Sequence, residues 1–347
     1  MPQKCYELKS MGQYHKLNCE IEIFLQKLLQ ELNYNTVDNM LAFYRAYIKW
    51  GNGNLAKFFK SYSPPISPPN LTCVGLALEL WSRMRNLDLA FVDLSEYFFV
   101  ASCEENIASL SEYLSAREYL EAAAYASQKE HVLLCLKIQI GNRRGILLCD
   151  PGYHVGRVVT VMQDNAYPHT GWFIQSDENN LRKEYNYQYV PSNEDYIEWT
   201  SRTVKDDVVQ SSETSLIYVS RAYLTAVDVT ERRNVVYNFR SLLSRDRKGN
   251  LIAGMYFKVK ECCDEFTIFY QDCGKKRVKM KFSDFDNTKK IDDKTSYMIN
   301  LCNEQLNLPK NSLPHLIQEI GSLLKDETFV KQILAINKAI DSIGDQY

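Results

Sequence analysis

One segment, HVLLCLKIQIGNRRGILLCDPGY at residues 131–153, constrains the fold of this chain more than any other. Two largely apolar runs flank a Gly-Asn pair, which is typical of a tight β-hairpin. If the turn holds only those two residues, Asp150 pairs with Leu133, which shares a face with His131 two positions earlier. We therefore expect His131 and Asp150 to be diagonal neighbours on one face of the hairpin.

A proline-rich stretch, SYSPPISPP at residues 61–69, leads into a second informative segment. Paired prolines exclude a helix and favour extended backbone. The following residues, from about 73 to 86, are apolar on nearly every side, which predicts a helix buried at the centre of a domain. Thr72 or Asn70 is placed to cap that helix, so Cys73 falls in its first turn. Unpaired backbone N–H groups and the helix dipole favour a thiolate there.

The order of elements predicts an α+β fold rather than alternating βαβ units. The first 60 residues and the final segment from Ser312 show helical periodicity, another helix is expected near 105–127, and most of 131–282 is expected to be β. At 347 residues the chain exceeds the usual size of one core. We predict four parts: a helical subdomain (1–72), a core with the Cys helix and the His/Asp hairpin (73–165), a β-rich domain (166–283) and a C-terminal helical region (284–347).

Composition narrows the classes of partner and compartment. A net charge of −2 argues against nucleic acid or a membrane surface as the main partner. The chain has no run of about 20 apolar residues and no signal-peptide pattern at its start. Its ten cysteines are scattered and form no CxxC pair, so we expect reduced thiols, no metal site and a cytoplasmic protein.

Cys73, His131 and Asp150 form a candidate catalytic set, because a base oriented by a carboxylate activates a thiol nucleophile. Each residue also has an ordinary interpretation: a small apolar filler, a histidine at a strand end and the first residue of a turn.

The order of these three residues, with a hairpin that opens on His and closes on Asp-x-Gly-aromatic, resembles the arylamine N-acetyltransferases of the transglutaminase-like (papain-like) superfamily. The resemblance covers roughly residues 20–280. It implies an N-terminal helical bundle and a β-barrel-like second domain that includes NVVYNFRSLL and LIAGMYFKVK. The chain has SPPNLTCVGLALEL where that family usually carries Arg-Gly-Gly before its cysteine and Glu-x-Asn after it.

The resemblance implies that Cys73 takes an acetyl group from acetyl-CoA as co-substrate and passes it to a small-molecule amine. His131 would be the general base and Asp150 the orienting carboxylate, with no metal. Two alternatives stay open. One is a transglutaminase-like or cysteine hydrolase acting on amide bonds, and the other is a catalytically inactive module that binds a protein partner.

Overall fold

The computed structural model describes residues 3–69, 71–107, 109–111, 113–114, 130–178, 180–262, 264–286 and 291–344. Helices and mostly antiparallel sheets make up these residues, which confirms the α+β class. The helix predicted near 105–127 and the candidate cap Asn70 lie largely or wholly outside the described residues.

The helices account for both ends of the chain and for the segment that carries Cys73. They are α1 (Met11–Glu31), α2 (Val37–Trp50), α3 (Leu55–Ser61), α4 (Cys73–Met84), α5 (Arg232–Val236), α6 (Asp293–Gln305), α7 (Ser312–Leu324) and α8 (Glu327–Gly344). Helix α4 starts at the predicted residue and gives way to a 3₁₀ turn, Arg85–Leu87. Helix α2 ends where Gly51 adopts a φ of 71°, a conformation that glycine reaches without strain.

The strands fill the predicted β-rich stretch and begin before it. They are β1 (Tyr6–Leu8), β2 (Tyr34–Asn35), β3 (Phe98–Glu104), β4 (His131–Ile140), β5 (Arg143–Cys149), β6 (Val159–Met162), β7 (Phe173–Glu178), β8 (Leu181–Val190), β9 (Asn193–Lys205), β10 (Val208–Tyr218), β11 (Phe239–Arg245), β12 (Leu251–Lys258), β13 (Glu265–Gln271) and β14 (Lys275–Lys281). Strands β1 and β2 interrupt the region predicted to be helical. Their partners, β4 and β11, are distant in sequence, so local periodicity gives no sign of them.

The strands form two sheets. The larger has the order β6-β5-β4-β3-β10-β9-β8-β7, with β1 pairing with β4 in parallel. The smaller has the order β14-β13-β12-β11-β2 and is antiparallel. On β12 and β13 the residues Met255, Phe257, Phe266 and Ile268 alternate into the core, as expected for a sheet with one buried face.

The chain divides into two compact units, and each is assembled from two segments. Unit 1 comprises Met1–Leu28 and Leu76–Thr230, and unit 2 comprises Leu29–Gly75 and Glu231–Tyr347. The nine-stranded sheet belongs to unit 1 and the five-stranded sheet to unit 2. Each unit has its own apolar core, and each draws residues from more than one of the four predicted parts.

Candidate active site

The hairpin of unit 1 has the predicted register. Leu134 pairs with Cys149 and Ile140 with Arg143, so the turn holds only Gly141 and Asn142. His131 opens β4 on the face of Leu133 and Cys135, which lie in the core of unit 1. Asp150 follows β5 directly and continues the face of Ile146 and Leu148. Side-chain alternation along the two strands therefore carries both polar residues to one side.

The structure brings His131 and Asp150 into direct contact. His131 Nε2 lies 2.9 Å from Asp150 Oδ2, and the two residues are only 3% and 4% exposed. The second carboxyl oxygen, Oδ1, accepts a hydrogen bond of 2.9 Å from the backbone N–H of Tyr153. Both carboxyl oxygens of Asp150 therefore have a hydrogen-bond partner. A neutral His131 imidazole that donates from Nε2 has its acceptor lone pair on Nδ1.

Aromatic rings surround this pair. The ring of Tyr153 meets that of His131 edge to face at a centroid distance of 4.6 Å, and it contacts Trp199 at 4.9 Å. Trp199 in turn stacks on Tyr187 at 5.6 Å. Burial, and after it the neighbouring Glu105, raises the pKa of Tyr153 well above its usual value. The surroundings of His131 therefore have a low polarity, which strengthens its interaction with Asp150.

A third ionisable group, Glu105, lies beside the pair of His131 and Asp150. The sequence did not predict it. Burial raises its pKa, while His131 and Tyr153 oppose the shift. Its Oε1 atom is buried and has no hydrogen-bond partner in the structure as described. Glu105 follows β3, and the pairing of Cys103 with His131 brings the end of β3 beside the start of β4. Only that long-range register reveals the proximity.

Cys73 is the first residue of α4, as predicted, and is 3% exposed. It belongs to unit 2, whereas His131 and Asp150 belong to unit 1.

Within unit 2, the sulfur of Cys73 has a side-chain amide beside it. Asn234 Nδ2 lies 3.6 Å from Cys73 Sγ and 3.3 Å from the hydroxyl oxygen of Thr72. Thr72 in turn donates its hydroxyl to Oε2 of Glu231, and Asn39 Nδ2 donates to Oε1 of the same carboxyl at 2.7 Å. Thr72, predicted as a cap, thus joins the helix start to a buried carboxyl group. We call Asn39, Thr72, Cys73, Glu231 and Asn234 the thiol network.

One member of the thiol network, Glu231, is a buried acid, and a buried base, Arg240, lies near it. Burial raises the pKa of Glu231 to about 7, although hydrogen bonds from Thr72, Asn234 and Asn39 and the charge of Arg240 oppose the shift. Burial likewise lowers the pKa of Arg240 to about 9. Arg240 lies on β11 and donates to the backbone carbonyls of Asn234, at 2.7 Å, and Val235. It therefore fixes the short helix that presents the Asn234 amide to the sulfur.

Glu231, Asn234 and Arg240 were not predicted, and nothing in their local sequence distinguishes them. They meet Cys73 only through tertiary packing, since Thr72 and Glu231 are 159 positions apart.

Two features are absent from the described residues. They contain no group of three His, Cys, Asp or Glu residues placed to hold a metal ion. Among the described helices, none has the length and apolar character needed to cross a bilayer.

No family model matches the chain, and no curated protein or solved structure matches it significantly.

Proposed function

We propose that this chain is a thiol-dependent acyltransferase that moves an acyl group, such as acetyl, from acyl-CoA to a small-molecule amine. The observation that carries the proposal is the buried hydrogen bond between His131 and Asp150 at the end of the hairpin. A buried imidazole oriented by a carboxylate is the base that a thiol nucleophile requires. In this proposal Cys73 is the nucleophile, His131 the general base and Asp150 the orienting carboxylate.

The surroundings of Cys73 support its role as nucleophile. Its place at the start of α4 puts the sulfur near the positive end of the helix dipole. The amide of Asn234 offers an N–H to the same atom at 3.6 Å. Both features favour a thiolate, which is the reactive form of cysteine.

The first half-reaction loads the enzyme. Cys73 gives its proton to His131, and the sulfur attacks the carbonyl carbon of the acyl thioester. The bond between that carbon and the CoA sulfur breaks, and CoA leaves with the proton from His131. Asp150 stabilises the imidazolium while the proton is in transit.

The second half-reaction transfers the acyl group from Cys73 to the amine. The amine nitrogen attacks the acyl carbon on Cys73, and His131 takes a proton from the nitrogen. The carbon–sulfur bond to Cys73 breaks, the amide product leaves and the proton returns from His131 to the sulfur. We place this reaction in the cytoplasm, where the free cysteines found throughout the described residues would stay reduced.

Intact-mass measurement after incubation with acetyl-CoA tests the proposal. We expect the wild type to gain one acetyl group, Cys73→Ala to gain none and Cys19→Ala to behave as wild type, because Cys19 is exposed on α1. His131→Gln should load at least 100-fold more slowly, as expected on removal of a general base. His315→Gln, an exposed histidine on α7, is its matched control.

Addition of a panel of aliphatic and aromatic amines should then discharge the acetyl group and release an amide. An acetyl group that persists in folded Cys73→Ala would overturn the assignment of the nucleophile. Absence of any adduct from acetyl-, propionyl- and butyryl-CoA, with wild-type protein shown to be folded by circular dichroism, would overturn the proposed reaction. Release of ammonia from glutamine amides without CoA would point instead to a hydrolase or transglutaminase-like enzyme.

A further inference from the structure

The thiol network contains two groups that act on the same sulfur with opposite sign. We propose that Asn234 and Glu231 are positioning residues with opposite effects on the ionisation of Cys73. The amide stabilises the thiolate, and the ionised carboxyl group disfavours the thiolate. This inference rests on the proposed function only in taking Cys73 as the reacting residue.

The case for Asn234 is geometric. Its Nδ2 atom carries two N–H groups and lies 3.3 Å from the Thr72 hydroxyl oxygen and 3.6 Å from Cys73 Sγ, and the same amide also hydrogen-bonds to Glu231. A thiol sulfur is a weak acceptor, whereas a thiolate is charged and accepts a much stronger hydrogen bond. The amide therefore stabilises the ionised form of Cys73 more than the neutral form.

Thr72 fixes which way the amide points. Its hydroxyl donates to Glu231, so its oxygen lone pairs remain to accept from Asn234. Arg240 holds the same residue from the other side through the backbone carbonyl of Asn234. The sulfur of Cys73 is therefore one of the acceptors within reach of the Asn234 amide.

Glu231 acts in the opposite direction because its carboxyl group, which accepts from Thr72 next to Cys73, adds a negative charge to the thiol network. In a buried setting, like charges separated by one side chain disfavour each other's ionisation. Burial raises the pKa of Glu231 to about 7, so its charge changes within the physiological range. The charged and titratable side chains that face it are Arg240 on β11 and Tyr62 after α3. The nearby Arg233 is engaged by Asn337 and Asp341.

Asn39 is suited to both protonation states of Glu231. Its Nδ2 donates to the carboxyl group, and its Oδ1 is buried with no partner in the structure as described. A rotated Asn39 amide presents Oδ1 instead, which accepts from a protonated Glu231 or from a glutamine at that position. Glu231→Gln therefore keeps the shape and the hydrogen bonds while removing the charge.

The test measures how fast iodoacetamide alkylates Cys73 between pH 5 and pH 9. Trypsin releases Cys73 in the peptide 61–83, which contains no other cysteine, and Cys19 in the peptide 17–27, so mass spectrometry follows both in one sample. Cys19 is exposed in unit 1 and serves as the internal reference. Glu319→Gln, which removes a carboxyl group paired with Arg45 elsewhere in unit 2, is the matched control.

We expect Glu231→Gln to raise the alkylation rate of Cys73 at pH 7.5 about tenfold, because the substitution removes a neighbouring negative charge. Asn234→Ala should lower it about fivefold, and Asn234→Asp should lower it further by adding a negative charge beside the sulfur. A residue with a purely structural role would change the rate in the same direction for every substitution. Opposite signs therefore separate positioning from loosening of the fold.

An unchanged or lower rate in folded Glu231→Gln would overturn the inference. If Glu231→Gln does not fold, the two Asn234 variants decide. We then expect Cys73 to react more slowly in Asn234→Asp than in Asn234→Ala, and equal rates would overturn the inference. None of these measurements uses acyl-CoA. Rate changes of opposite sign in the Glu231 and Asn234 variants, without an acetyl-enzyme, would reject the proposed reaction and support the inference. An acetyl-enzyme without these opposite rate changes would support the proposed reaction and overturn the inference.

Discussion

The two units hold buried ionisable groups in different ways. In unit 1, His131 and Asp150 share a side-chain hydrogen bond within a single hairpin, and the ring of Tyr153 packs on His131. In unit 2, Glu231 has donors from Asn39 and Thr72 and the opposite charge of Arg240 nearby. A pair is vulnerable to the loss of either member, whereas a network shares the loss among several contacts.

Deletion of one partner in each unit tests this difference, with the largest effect in unit 1. Asp150→Ala leaves His131 Nε2 and the backbone N–H of Tyr153 buried without their acceptor. We expect the free energy of unfolding to fall by about 4 kcal/mol. Asn39→Ala removes one of several donors to Glu231, and we expect a loss of about 1 kcal/mol. Urea denaturation measures both, and equal losses would contradict the difference between pair and network.

The pH dependence of the free energy of unfolding reports on the charge of Glu231 in unit 2. The pKa of Glu231 is about 7 in the folded chain, above its unfolded value, so the folded state holds this proton more tightly. Its contribution is complete below the unfolded pKa and is lost as pH rises through 7. Between pH 4.5 and pH 8 the wild type should lose about 3 kcal/mol more than Glu231→Gln. Parallel curves for the two proteins would show that Glu231 is not the group responsible.

A pair of tyrosines in unit 1 gives the smallest effects, with opposite signs. The hydroxyl of Tyr14 is 2.7 Å from the Thr160 hydroxyl in a buried hydrogen bond, whereas the buried Tyr187 hydroxyl has no partner in the described structure. Tyr14→Phe should lower the free energy of unfolding by about 1 kcal/mol. Tyr187→Phe should raise it by a similar amount, because it removes an unsatisfied polar atom. Thermal denaturation resolves the two, and a loss of stability in Tyr187→Phe would mean that its hydroxyl has a partner.

Local sequence was enough to predict the hairpin. The turn, both strands and the contact between His131 and Asp150 lie within 20 residues, and side-chain alternation fixes their geometry once the turn length is known. The start of α4 was also predictable, because the apolar helix begins four residues after Pro69, the last of the prolines that exclude helix.

The thiol network was not predictable from local sequence. Asn39 and Glu231, whose side chains share a hydrogen bond, are 192 positions apart, and no periodicity links them. The same holds for Glu105, whose proximity to His131 depends on how β3 pairs with β4. Local patterns predict elements and their faces, whereas contacts between distant elements follow from the tertiary fold.

The division of the chain into two discontinuous units determines which fragments of it are useful. The boundaries at Leu28/Leu29 and Gly75/Leu76 fall inside α1 and α4, each of which is one continuous helix. The long segment 76–230 is an insertion between the two parts of unit 2. No single cut therefore yields either unit whole, and a fragment that begins at Leu76 would separate Cys73 from the helix that it starts. Expression of shortened genes would produce split helices rather than domains, so point substitutions in the full-length chain are the suitable tools for separating the roles of the two units.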